Sequence, residues 1–187
     1  MAPNAISDRF EKARAEIYIG HDEDPTKVTI DGKEVPYERH YAEKMESYLS
    51  KREPDASEVL RLAVSSYPMT KVGYHSWRSN LKKRQAELVG QIMDSYYSAE
   101  DKQRCMALIE KEGLKQGEEE VQVLEDVACL VFLDDQFDEF QKKHDEAKIV
   151  NILKKTWVKM SSKGHEMALQ IPMTDECKAL VKKALDG

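Results

Sequence analysis

The stretch Glu118–His144, EEEVQVLEDVACLVFLDDQFDEFQKKH, most narrows what this chain can become. Acids open it and Lys142 and Lys143 close it, the charge order that complements a helix dipole. Between them the residues are apolar nearly all round, so the helix they predict runs through a core rather than over one. Such a helix has to be covered by other elements, and the rest of the chain reads as more helices.

Ser7 is placed to cap a helix through about Ile19, with Phe10, Ala13 and Ile17 on one face. The Gly20-His21-Asp22 that follows reads as a polar connector. KVTIDGKEV, residues 27–35, alternates about Asp31-Gly32, the favoured dipeptide of a tight hairpin, or else forms a structured loop. From Pro36 the stripe Tyr37, Tyr41, Met45, Tyr48 predicts a helix to about Arg52, and ASEVLRLAV, residues 56–64, a short buried one. A turn at Tyr67-Pro68 leads into a long helix with Trp77, Leu81, Leu88 and Ile92 at helical spacing. Ser98 caps the next, which turns Cys105, Leu108 and Ile109 inward and stops near Gly113. Residues 145–170, DEAKIVNILKKTWVKMSSKGHEMALQ, predict one amphipathic helix in which Lys159, Met160 and Lys163 continue the line of Ile149, Ile152, Leu153 and Trp157 and Gly164 is the stop. Thr174 caps a last one. Strands and helices nowhere alternate, so the expectation is an all-α, single-domain bundle of about seven or eight helices over residues 1–187.

Length and composition agree with one sizeable core. The chain has 187 residues, 34% charged and 41% hydrophobic, and no apolar run approaches the ~20 residues of a membrane span. The start lacks the basic end and apolar block of a secretory signal, so cytoplasmic residence and no membrane partner are expected. Cys105, Cys129 and Cys177 are odd in number and far apart, which speaks for buried or incidental thiols rather than disulfides or a thiolate zinc site. A net charge of -6 disfavours nucleic acid as a partner. There is no Gly-rich phosphate loop, no H-E-x-x-H and no G-x-S-x-G turn. KMSSKGHE, residues 159–166, and YIGHD, residues 18–22, look like the two signatures of class I aminoacyl-tRNA synthetases. That enzyme needs a parallel nucleotide-binding sheet, whose strands would read as apolar runs between helices. None is present, and the basic stretch reads as an exposed helix end.

The candidate chemistry centres on Asp126, which shares a helical line with Val123, Val127, Leu130, Leu133 and Phe137. A carboxylate on an apolar face must stay protonated or meet a cation, a metal or several donors. The alternative to a functional site is a buried salt bridge or a helix-capping contact tying two segments together. Glu125, on a neighbouring line, is expected to reach the surface. His40 opens a helix beside Tyr37 and Tyr41, where it could ligate metal or bond a carboxylate, or be an ordinary flanking residue. Tyr74, Trp77 and Arg78 share a neighbourhood with His75 and suit an aromatic and cationic wall for an anionic ligand, or else core anchors with Arg78 paired to an acid. His21, His144 and His165 lie in polar stretches and read as solvated.

DGKEVPYERHYAEKM, DASEVLRLA, SYPMTKVGYHSWRSNLKK, VQVLEDVACLVFLDDQF and ILKKTWVKMSSKGHEMAL resemble, in order and over nearly the whole chain, a helical family of bacteria and fungi, domain of unknown function 4202. The specific positions are Tyr67-Pro68-Met69, Gly73-Tyr74, Trp77-Arg78 and Leu124 to Ala128. The layout also looks like a degenerate HD phosphohydrolase. That resemblance implies a His on an early helix, a His-Asp pair on the next and an Asp on a later helix around a divalent metal. His40 matches the first ligand and Asp126 the last. The resemblance further implies a segment like Gln-His-x-x-Arg-Trp-x-x-Pro-Arg, the source of the central ligand, where Ser66 here runs into Tyr67; either the chain lacks it or it is missing between those two. Another family His falls near Gln85.

The function expected on these grounds is recognition of a small anionic or phosphorylated metabolite by a degenerate HD-type protein. In it Arg78, Tyr74 and Trp77 contact the ligand, His40 bonds or transfers a proton, and Asp126 orients it or holds a metal. No cofactor is expected; a divalent metal enters only if an unseen loop supplies a further ligand. The alternative is a non-catalytic interaction or scaffold module whose Asp126 network is structural and whose surface is the acidic stretch EKEGLKQGEEE, residues 110–120.

Overall fold

The computed structural model describes residues 6–68 and 75–186, with the backbone alone at 75–79. Helices dominate them, and the strands among the described residues form a single hairpin, so the chain is all-α. Its packing falls into two compact units, Met1–Leu124 and Glu125–Gly187.

In the first unit, α1 (Asp8–Asp22) begins where Ser7 Oγ accepts the Phe10 N–H at 3.3 Å and buries Phe10, Ala13 and Ile17 as the spacing predicts. It continues past Ile19, however, and its last turn carries His21, only 6% exposed. The supposed connector is helix because His21 has a buried carbonyl to bond. A hairpin follows, β1 (Lys27–Ile30) against β2 (Lys33–Pro36), with Val28 opposite Val35. Asp31 and Gly32 both adopt positive φ, 50° and 78°, the backbone a tight two-residue turn requires. Next come α2 (Tyr37–Arg52) and α3 (Glu58–Ser65), the second capped by Ser57 Oγ on the Leu60 N–H at 3.1 Å.

The long helix α4 (His75–Met93) packs on α5 (Ala99–Glu110). Among its described side chains the buried ones are Ala86, Val89 and Met93, whereas Leu88, expected inside, is 45% exposed. Close approach to α5 decides this face, with small residues at its nearest point and Met93 buried at its end. Gly90 lies on it, and a Cβ there would stand 2.9 Å from Met106 Sδ, so the two helices approach over small residues. α5 closes with Lys111 in the left-handed region, φ 61°, and Gly113 opens the following turn instead of ending the helix itself.

The all-round apolar stretch forms α6 (Glu119–Val131), a wide π-type turn at Phe132–Gln136, and the short α7 (Phe137–Gln141). The second unit begins within α6 and adds α8 (Glu146–Lys159), α9 (Ser162–Ala168) and α10 (Asp175–Leu185). α10 packs against α8 and α7. Where one helix is expected over 145–170, the chain breaks: Met160 and Ser161 are extended, with ψ 148° and 168°. With these two breaks the described residues hold ten α-helices where about seven or eight helices are expected. Cys105, Cys129 and Cys177 are buried and none of them forms a disulfide.

Candidate functional site

Asp126 is fully buried, as its apolar line requires. Its carboxylate is held by the break after α8. The Ser161 N–H donates to Oδ1 at 2.8 Å and the Ser161 hydroxyl to Oδ2 at 2.5 Å. Ser161 is also the N-cap of α9, its Oγ accepting the Gly164 N–H at 3.1 Å. Donation therefore runs from Gly164 to Ser161 to Asp126, and the negative charge sits where unpaired helix N–H groups favour it. A Cβ on Gly164 would lie 2.7 Å from Asp126 Oδ1 and 2.8 Å from its Cγ. Gly164 is thus no helix stop; it lies buried inside α9 and leaves the room the carboxylate occupies.

The flanking residues fasten the same corner. Glu125, expected at the surface, is 4% exposed. Lys159 Nζ reaches to 3.7 Å of its Oε1, and the Cys129 thiol stands 3.9 Å away. The long lysine keeps its own head half in water, which lets a glutamate on this helix go inside. His165, expected in solvent, stacks on Trp157 with ring centres 4.0 Å apart and planes at 4°, and its Nε2–H donates to the Trp157 carbonyl at 2.8 Å. The Trp157 carbonyl, which already accepts the Met160 N–H at 3.0 Å where α8 ends, thereby takes a second donor from α9. KMSSKGHE, read from sequence as an exposed basic end, is the stretch that answers Glu125 and Asp126. The signal present in the sequence was Ser161 followed three residues later by a glycine, a strong N-cap residue interrupting an amphipathic line.

The other candidates lie elsewhere. His40 is half-buried in the first turn of α2, in the first unit, its ring 6.2 Å from that of Tyr37 and stacked at 24°. Tyr74 lies outside the described residues, and Trp77 and Arg78 contribute only their place on the backbone of α4. Ser66 and Tyr67 are consecutive residues in a buried corner, the Tyr67 N–H bonding the Val64 carbonyl at 3.2 Å. His21, against expectation, donates from Nε2 to the Ser65 carbonyl at 2.9 Å and has Glu38 3.5 Å from Nδ1. His144 is half-buried against the Phe140 ring, 4.3 Å away.

Sequence reasoning missed two further clusters in the first unit. Glu46 Oε1 accepts the hydroxyls of Tyr18 and Ser65, each at 2.5 Å, and Arg14 stands 3.3 Å from Oε2. Burial and then the Glu46 carboxylate push the Tyr18 hydroxyl well above the ordinary tyrosine range. Of the acidic stretch 110–120, Glu118 and Glu120 are taken up by Arg104, and Ser57 also donates to Glu120 at 2.7 Å. Burial would raise Glu118, but bonds from the Val121 N–H and Arg104 hold it below the usual carboxylate range.

Each unit contains a cavity of about 340 Å3. That of the first is walled by Arg9, Arg61, Glu58 and Asp101. That of the second is apolar, lined by Leu153, Trp157, Ala168, Ile171, Val181 and Leu185 among others. Among the described residues no three His, Cys, Asp or Glu side chains converge as a metal site, and no helix is long and apolar enough to cross a membrane.

Neither curated proteins nor solved structures yield a match to this chain. The sequence model of one family, Domain of unknown function (DUF4202), matches residues 11–181, and over that span the described helices carry the Asp126–Ser161–Gly164 corner; the chain belongs to this family.

Proposed function

We propose that this chain acts by non-catalytic recognition, as an interaction module, and that the Asp126 network is its framework rather than its reactive centre. The observation that carries this reading is the engagement of both oxygens of the fully buried Asp126 by Ser161, in a corner closed by Gly164. A carboxylate that orients a substrate or receives a proton needs an open face towards it. This one is spent on starting α9. Catalysis by a degenerate HD-type arrangement would require Asp126 to release Ser161 and to act together with His40 and Arg78 on a small anionic or phosphorylated metabolite.

Asp126→Asn separates the two. The amide keeps the shape but loses a charged acceptor, at a cost of about 1–2 kcal/mol, which in a chain of this length lowers the melting temperature by roughly 3–6 °C. The expected result is that fall, with the response to a panel of nucleotides and sugar phosphates the same before and after the substitution. Unchanged melting together with loss of a phosphate-dependent thermal shift would overturn the recognition reading in favour of the HD-like one.

A further inference from the structure

The apolar cavity of the second unit has one charged wall. Along α10, Lys178 and Lys182 are one turn apart on a single face, with Val181 and Leu185 beside them, and all four line the cavity. Lys178 stands 3.5 Å from Asp175, a pair in which both partners are largely exposed. Among the described residues Lys182 has no ion-pair partner. Leu169 and Leu185, at 67% and 41% exposure, leave apolar edges open to water. Trp157 forms part of the floor, and its indole is fixed by the stacked His165.

From this lining we infer that the cavity binds an amphipathic monoanion, an aliphatic or aryl carboxylate whose apolar body lies over Leu153, Trp157 and Ile171 and whose carboxylate meets Lys182. The volume of about 340 Å3 is at the small end of ligand pockets, roughly 300–1,000 Å3, which sets the scale at a short chain or a single ring system. Asp186 lines the same wall and weighs against a doubly charged phosphate. The inference stands apart from the role assigned to Asp126, because Asp126 does not line this cavity.

The test is titration of the whole chain with decanoate, followed by calorimetry and, in a Trp77→Phe chain that leaves Trp157 as the sole indole, by fluorescence, with decyltrimethylammonium as the cationic counterpart. Decanoate is expected to bind and to shift Trp157 emission, and the cation to bind at least tenfold more weakly. Lys182→Gln, an exposed substitution that spares the fold, should weaken decanoate about three- to fivefold, the value of an exposed ion pair. Asp186→Asn should tighten it by a similar factor. Absence of decanoate binding, equal binding of both amphiphiles, or indifference to Lys182→Gln would each overturn the inference. So would concentration-dependent self-association abolished by Val181→Trp, which would assign the groove to a second copy of the chain. None of these results bears on Asp126→Asn, so the two readings fail separately.

Discussion

Glu58 in the first unit and Asp126 in the second gather the same kinds of donor and end with opposite properties. Glu58 opens α3 and accepts the Ser7 N–H at 2.8 Å, Arg9 Nε at 3.2 Å and the Tyr97 hydroxyl at 3.1 Å, with its side chain 22% exposed. Asp126 accepts an N–H and a hydroxyl from Ser161 with no exposure at all. If Glu58 is lost, water reaches the donors it leaves. If Asp126 is lost, a fully buried acceptor is removed from beneath the half-buried Ser161 and the start of α9 loses its anchor. Solvent access, rather than the number of bonds, decides which carboxylate is structural.

The largest effect should therefore separate Asp126→Ala from Glu58→Ala. The first is expected to cost on the order of 3 kcal/mol, because it empties a fully buried position and leaves the Ser161 N–H and hydroxyl without their acceptor. The second should cost about 1 kcal/mol, because its ion pair lies partly in solvent and is screened. Urea unfolding of both variants measures the gap, and equal losses would remove the distinction between the two sites.

Glycine sharpens the same contrast. Gly164→Ala drives a methyl into the Asp126 carboxylate and should destabilise by about 1–3 kcal/mol. Gly20→Ala, in a helix of the first unit with nothing within 4 Å of the new Cβ, should stabilise by roughly 0.5–1 kcal/mol. One chemical change then has opposite signs, and thermal melting of the pair reads it directly. A stabilised Gly164→Ala would mean that the corner yields.

The smallest effect is titration. Burial would raise Glu58, but the bonds from Ser7, Tyr97 and Arg9 outweigh it and hold the group below its ordinary value of 4.5. Since the folded chain binds this proton less readily than the unfolded one, the contribution is complete above pH 4.5 and is lost as pH falls through the lower folded value. Glu58→Gln should flatten that part of the acid limb of the stability curve. An unchanged slope would show that Glu58 is not linked to folding.

Much of the fold was legible because it is written at short range. Phe10, Ala13 and Ile17 on α1, Asp31-Gly32 in the hairpin, and the caps Ser98 and Thr174 each depend on neighbours a few residues away. The face of α4 was misread because hydrophobicity points to Leu88, while close packing selects Ala86, Val89 and Gly90. The depth of His21 and His165 was missed for a related reason. Each is drawn in by one specific carbonyl, His21 to full burial by that of Ser65 and His165 to half-burial by that of Trp157, and a polar neighbourhood in sequence does not show where such a carbonyl is.

By itself, the order of residues determined that Asp126 lies on an apolar line and has to be answered, since helical periodicity fixes which side chains share a face. Only the tertiary structure decided that Ser161, thirty-five positions away, supplies the answer, and that Gly164 makes room for it. Periodicity is a property of each segment alone, whereas the donor a buried carboxylate meets depends on how two segments close on one another. A serine in an amphipathic line carries the same local signal whether it faces water or ends the helix to bond that carboxylate.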